Sequence, residues 1–354
     1  MKQHAAPRGL DELSEREWTD FALDVGSIFA TREWFATWLL HEPGLGPVEV
    51  LVSRRGDGSV AGVLALAVER SVPRVLGPLG PWPAAAPSIV CKEEDRGWIT
   101  EDLVRQVQAR RGVDMLRLVV PASQAPQFDA WRGDRGVAIS DRSIQYDGRT
   151  WDELLSASGR NSRRAFLRRS RRLRESFAVG FRRTERADQL ENDVDLLLQL
   201  HWKRWGDEVL ILTPERRALL QSLAAATFAR NRLYLRFLEL DGRAAAAQLS
   251  FRVGTTEFAF MSAADPELRE HQVGIEMLFH TVEASIADGM SALRLLPGDQ
   301  EYKQRLPSID HPIQPMLVPM SALGTAVLGG RRVARRIQRS VQRDTGSESP
   351  SARE

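Results

Sequence analysis

"FAFMSAADPELREHQVGIEMLFHTVEASIADGMSALRLLPGDQEYKQRL" (residues 258–306) is the stretch whose reading decides the fold of this chain. It opens as a strand, and Asp265-Pro266 ends that strand, because proline lacks the N–H a ladder needs. After the polar segment 267–274, Ile275, Leu278, Phe279 and Val282 fall on one face at helical spacing, predicting a helix opened near Gly274. Gly289 closes that helix, and a second apolar strand follows, centred on Leu293. A glycine at a helix start lets a bound group approach the free backbone N–H donors, where the helix dipole favours an anion.

The surroundings repeat a plan found earlier in the chain. Residues 231–253, "NRLYLRFLELDGRAAAAQLSFRV", place two strand-like runs around Asp241-Gly242. Residues 46–70, "GPVEVLVSRRGDGSVAGVLALAVER", do the same around Asp57-Gly58. Asp-Gly between apolar alternations is a strong hairpin signal. Each hairpin follows a helical stretch with paired tryptophans, "EWFATWLL" (33–40) and "HWKRWG" (201–206). Each is followed by a helix and a buried strand, "MLRLVVP" (115–121) and "ALRLLPG" (292–298). The repetition predicts two copies of one α/β module (α+β in its segregation of helices), with mixed central sheets flanked by helices. The expected divisions are 10–147 and 148–315, parted at the polar turn "YDGRT" (146–150), and a tail over 316–354.

Composition limits the alternatives. With 43% hydrophobic and 27% charged residues the chain can bury sizeable cores. One cysteine, Cys91, excludes an intramolecular disulfide framework, and the six histidines have no ligand spacing, so no metal is expected. The N-terminal residues lack the apolar centre of a signal peptide, and no run approaches the ~20 apolar residues of a membrane span. The expected location is the cytoplasm, with the inner membrane surface as a further setting. G-x-S-x-G, H-E-x-x-H and G-x-x-x-x-G-K-[ST] are all absent.

Net charge is only +2, yet eight arginines lie between Arg160 and Arg174 with no acid among them. Phe166, Leu173 and Phe177 form a narrow apolar stripe, so the run reads as a helix docked by one face. The arginines opposite need an anion to offset their repulsion. Phosphates, a nucleotide-linked substrate, tRNA and an anionic bilayer all qualify; DNA is not expected, because no DNA-binding motif is present. A second basic stripe, "RRVARRIQRSVQR" (331–343), predicts an amphipathic helix, suited to anionic lipid or to packing on the second module. The closing "DTGSESPSARE" reads as disordered.

Chemistry concentrates after the Leu293 strand, where "GDQEYKQR" brings Asp299, Glu301, Tyr302 and Lys303 together. Tyr302 is one of three tyrosines and Lys303 one of four lysines. A tyrosine at a strand's C-terminal end can protonate a leaving group, and a lysine can hold a phosphate or developing oxyanion.

The order hairpin, strand, glycine-opened helix, strand and tyrosine resembles the GNAT acyltransferase module. Residues 150–310 look like the FemAB-like, CelD/BcsL-type acetyltransferase domain. "WDELLSASGRNSRRAFLRRSRRL", "LLLQLHWKRW", "RLYLRFLELDGRAAAAQLSF", "SAADPELREHQVGIEML" and "LRLLPGDQEYKQRL" carry the likeness. Gly298, Asp299, Tyr302 and Lys303 satisfy the family ending G-[DE]-x-x-Y-K. The pyrophosphate loop departs from Q/R-x-x-G-x-G/A, with His271 first and Glu276 last.

The resemblance implies an acyltransferase moving an acyl group, acetyl above all, from acetyl-CoA or another acyl-CoA. The acceptor would be an amine or hydroxyl of a sugar, glycan or cell-envelope precursor. Tyr302 would be the acid, Lys303 an electrostatic or substrate-binding group, and Asp299 or Glu301 the base. Arg269, Gln272, Val273, Gly274 and Ile275 would hold the cofactor; Arg163, Arg164, Arg168, His201 and Arg204 would contact substrate. Aminoacyl-tRNA is an alternative donor, and a non-catalytic protein binding nucleic acid, another anion or a membrane surface is the alternative class.

Overall fold

The computed structural model describes residues 10–41, 45–69, 72–80, 87–110, 112–206 and 213–331. The first half runs α1 (Glu15–Val25), α2 (Arg32–His41), β1 (Leu45–Arg54), β2 (Val60–Glu69), β3 (Val75–Pro78), β4 (Val90–Cys91), α3 (Arg96–Gln108), β5 (Met115–Pro121), β6 (Asp134–Arg135) and β7 (Asp141–Gln145). The second runs α4 (Trp151–Ala157), α5 (Arg160–Ser176), β8 (Val179–Arg183), α6 (Leu190–Trp205), α7 (Pro214–Phe228), β9 (Leu233–Leu240), β10 (Arg243–Val253), β11 (Thr256–Ala264), α8 (Val273–Ala287), β12 (Ala292–Pro297), β13 (Ile309–Asp310) and β14 (Ile313–Pro319).

Local chemistry sets several boundaries. Ser14 with Glu17 and Thr150 with Glu153 form reciprocal capping boxes at the starts of α1 and α4. The β9–β10 turn needs positive φ at both central residues, and Asp241 (51°) and Gly242 (75°) supply it. The arginine run is α5, docked through buried Phe166, Ser170 and Leu173. The second basic stripe lies outside the described residues from 332 onward; a helical run over 322–331 precedes it.

Two mixed sheets result, with the repeated plan visible in both. In one, β1-β2-β3 are antiparallel neighbours and β5 lies parallel to β3. In the other, β9-β10-β11 are antiparallel neighbours and β12 lies parallel to β11. A helix, α3 or α8, joins each parallel pair, as parallel connections require.

Each sheet is then completed by a strand from the other half of the chain. β7 pairs antiparallel with β12, and β14 pairs antiparallel with β5. The turn at 146–150 therefore follows a strand that belongs to the second sheet. An apolar core also runs between the halves, combining Trp18, Trp34 and Phe35 with Leu197, Leu220, Phe237 and Phe251. Phe29 meets Phe258 edge-on at 5.7 Å between ring centroids, and Trp34 meets Phe260 in the same way at 5.7 Å. Burying each such ring contributes about 1.5–3 kcal/mol.

Candidate active site

The parallel pair of the second sheet does not stay paired. β11 and β12 are in register only over Thr256–Phe258 with Ala292–Arg294. Beyond that, β11 continues along β10 to Ala264, while β12 shifts register against β7 between Arg294 and Leu296. Leu296 has φ 59°, a left-handed conformation that costs a non-glycine residue energy and bends the strand. A wedge is left between the two strands at their C-terminal ends, where α/β sheets usually present ligand sites.

Lys303 holds the bent end. Its ammonium is buried and donates to the carbonyl oxygens of Leu296 (2.7 Å) and Pro297 (3.1 Å). Burial pushes its pKa down to about 8, with Asp141 and Asp299 opposing. Tyr302, its neighbour in a short 3-10 turn, faces the other way and lines a cavity of about 540 Å³.

The cavity has three walls: β10–β11 through Gln248, Ser262 and Ala264, the first turn of α8, and Tyr302 beyond β12. Arg204 of α6 and Arg269 complete its rim. The first N–H groups of a helix have no intrahelical acceptor, and no side chain caps α8. Gln272 takes the left-handed conformation just ahead of it (φ 51°, ψ 40°). A Cβ on Gly274 would meet only Ala264 Cβ, at 3.3 Å, so the backbone there is open to a ligand. The one acid in the lining, Asp265, is held by Lys203 at 2.7 Å and accepts the Glu267 N–H at 3.1 Å. The electrostatics therefore suit an anion.

Glu276, the unusual end of the glycine loop, lies outside the lining. It is buried against α5, accepting the Ser170 hydroxyl at 2.6 Å with Arg174 at 3.6 Å. Helical spacing explains this, since two residues beyond Gly274 a side chain leaves the cavity face.

Of the residues singled out from sequence, the fold gathers Tyr302, Arg204, Arg269, Gln272, Val273, Gly274 and Ile275 around one cavity. Lys303 lies behind the wall. Asp299 and Glu301 are exposed outside the lining, Glu301 bonded to Arg305 at 2.9 Å. Arg163, Arg164 and Arg168 face solvent on α5. His201 is half-buried one turn before Arg204; burial, aided by Arg204, holds its pKa below the ordinary imidazole value.

Among the lining residues that the sequence reading did not single out are Ser262 and Gln248. Ser262 shares the lining with Tyr302, and burial of the phenol raises its pKa above the usual tyrosine range, with Ser262 opposing. Gln248 donates to the Leu249 and Met261 carbonyls, at 3.0 and 3.1 Å. A glutamine inside the apolar run "AAAAQLSF" was the available signal, because a buried amide in a central strand needs a reason.

The first module closes the equivalent seam. Ser88 N–H donates to Val119 O at 2.7 Å, and the Ser88 hydroxyl accepts the Val119 N–H at 2.7 Å, so β5 is covered along that edge. The start of α3 follows Glu93, Glu94 and Asp95, acids that would repel an anion.

Residues 160–304 match the family model described as acetyltransferase (GNAT) domain. That stretch of the second module is therefore similar to a GNAT domain. Among solved structures, FemX aligns over 85% of this chain and 96% of its own, with a TM-score of 0.60 and 11% identity. A tandem GNAT protein from the clavulanic acid biosynthesis pathway aligns over 89% and 98%, with a TM-score of 0.52 and 13% identity. L-PGS from Bacillus licheniformis aligns over 91% and 97%, with a TM-score of 0.51 and 11% identity. At such identities the likeness is one of fold, and it spans both modules. No curated protein matches the sequence.

Proposed function

We propose that the second module transfers an acyl group, acetyl above all, from acyl-CoA to an amine or hydroxyl of a sugar or cell-envelope precursor. The observation that carries this reading is the cavity at the open β11–β12 seam, which puts the uncapped start of α8 and the Tyr302 phenol on one space. Its volume of about 540 Å³ lies within the usual range for small-molecule sites.

The chain's residues divide the work as follows. Gln272, Val273, Gly274 and Ile275, with Arg269, hold the anionic part of the donor at the start of α8. Acyl-CoA supplies the thioester; the seam excludes water from it and aligns it with the acceptor. Tyr302, protonated at neutral pH as an ordinary phenol is, gives its proton to the departing sulfur. Asp299 and Glu301 lie outside the lining, so the acceptor's proton reaches either carboxylate through solvent. Arg204, with His201 one turn away, orients the acceptor. Lys303 contributes by keeping the seam open.

A donor carried on tRNA is the second reading, favoured by the solvent face of α5. Arg160, Arg163, Arg164, Arg168 and Arg172 are exposed there without an ion pair among the described residues, a longer cationic track than one nucleotide needs.

Calorimetric titration with acetyl-CoA, CoA and a mixed tRNA pool separates the readings. Micromolar binding of acetyl-CoA is the expected result. Binding of tRNA with no response to acetyl-CoA or CoA would replace the first reading with the second.

A further inference from the structure

Behind the first turn of α8 lies an arginine that the sequence did not single out. Arg169 of α5 is half-buried, its guanidinium 5.5 Å from the Phe166 ring centroid and 5.8 Å from that of Phe279. Nη1 donates to Gln272 Oε1 at 3.0 Å. Nε and Nη2 are sealed from solvent with no acceptor among the described residues. Glu276, the carboxylate that acts on it electrostatically, is bonded to Ser170 rather than to this guanidinium.

A cation that has lost water and is not bonded to a carboxylate is a poor stabilising device. Its single bond goes to the residue that fixes the turn ahead of α8. Gln272 is left-handed, which disfavours a residue bearing Cβ, and it makes no capping bond to the helix behind it. The Arg169 fork therefore holds the side chain of a strained residue, and through it the aim of the next backbone N–H groups. It also leaves a fixed positive charge beside Gln272, outside the cavity lining that holds Arg269 and Arg204.

We propose that Arg169 is a positioning residue for the diphosphate of the nucleotide-linked acyl donor, acting through Gln272 to keep the start of α8 preorganised for that anion. This inference rests on the acyl-CoA reading above.

The test is a double-mutant cycle in the full-length chain, titrating acetyl-CoA, ADP as a diphosphate probe, and S-acetylpantetheine, which lacks the diphosphate. Arg169→Met and Gln272→Ala should each weaken acetyl-CoA and ADP about tenfold or more, leave S-acetylpantetheine unchanged, and lose nothing further when combined. Arg169→Lys, which keeps the charge but not the planar fork, should bind as weakly as Arg169→Met. Equal losses for all three ligands would mark Arg169 as a general packing residue and overturn the proposal. Wild-type affinity in Arg169→Met, full recovery in Arg169→Lys, or additive losses in the double variant would overturn it too. Should Arg169→Met not fold, Arg169→Lys and exposed Gln272→Ala carry the same comparison. A wild-type chain that binds neither acetyl-CoA nor ADP would instead overturn the acyl-CoA reading beneath it.

Discussion

Ile144 of β7 stands opposite Leu293 of β12 in antiparallel register, although the two lie in different halves of the chain. Both are fully buried, and they share a core with Tyr146, Phe279 and Leu306. On the other sheet Met316 stands opposite Leu118 in the mirror arrangement. The exchange ties the modules together by backbone hydrogen bonds as well as by the shared aromatic core. It also covers β12 on the side away from the seam, so the seam is the one open flank of that strand.

A fragment spanning 148–315 lacks β7 and leaves β12 with an uncovered hydrogen-bonding edge and an exposed apolar face. It should show no cooperative thermal transition, while the full chain unfolds cooperatively. Circular dichroism melts of the two make the comparison; a fragment that melts like the full chain would show the exchange to be dispensable.

Tyr302→Phe removes the acidic hydroxyl but keeps the ring's packing. With acyl-CoA as donor, turnover should fall about 100-fold or more, in line with loss of a general acid. Acetyl-CoA affinity and the melting temperature should stay close to wild type. Unchanged turnover in a thiol-release assay removes the tyrosine from the mechanism.

Lys303→Met should act on the fold. It leaves the Leu296 and Pro297 carbonyls without their donor, at a cost of about 1–3 kcal/mol for each one left unsatisfied. Chemical denaturation should show the loss, and acetyl-CoA binding should weaken with it as the bent end of β12 relaxes. A variant of wild-type stability with impaired turnover would move Lys303 from the frame to the chemistry.

Gly274→Glu places a carboxylate at the start of α8, with only Ala264 Cβ to displace. Acetyl-CoA binding should drop at least tenfold, about 1.4 kcal/mol, with little change in stability. Calorimetry reads the affinity and a thermal melt the stability.

His280 packs flat on Phe181, ring centroids 3.7 Å apart, and its pKa is lowered to about 4 by burial and then by Arg236 and Arg174. Between pH 6.5 and 4 the unfolded chain binds this proton more readily than the folded one. The contribution of neutral His280 is therefore complete above pH 6.5 and is lost as pH falls through that window. His280→Phe should make the acid side of the stability profile shallower, as denaturation midpoints measured across pH 4–7 would show. An unaltered slope would mean another group carries the acid dependence.

The sequence by itself determined the elements and several residues of the candidate cavity's lining. The hairpin turns at Asp57-Gly58 and Asp241-Gly242, the glycine-opened helix and the docked arginine helix are all local. Each follows from turn chemistry or from spacing along one chain segment. Arg204 joined the cavity because its place on α6 suits helical spacing, and Gly274 and Tyr302 because each follows the C-terminal end of one of the two parallel strands, β11 and β12.

Only the tertiary structure decided which strands meet, because alternation says that a run is a strand but not who pairs with it. It alone closed one seam with Ser88 and left the other open. It separated adjacent Tyr302 and Lys303, turning one into the cavity and binding the other to Leu296 and Pro297. It also carried Glu276 away from the cavity and brought Arg169 up to Gln272. Those outcomes depend on contacts between residues far apart in the chain, where burial, hydrogen bonding and charge must be satisfied together.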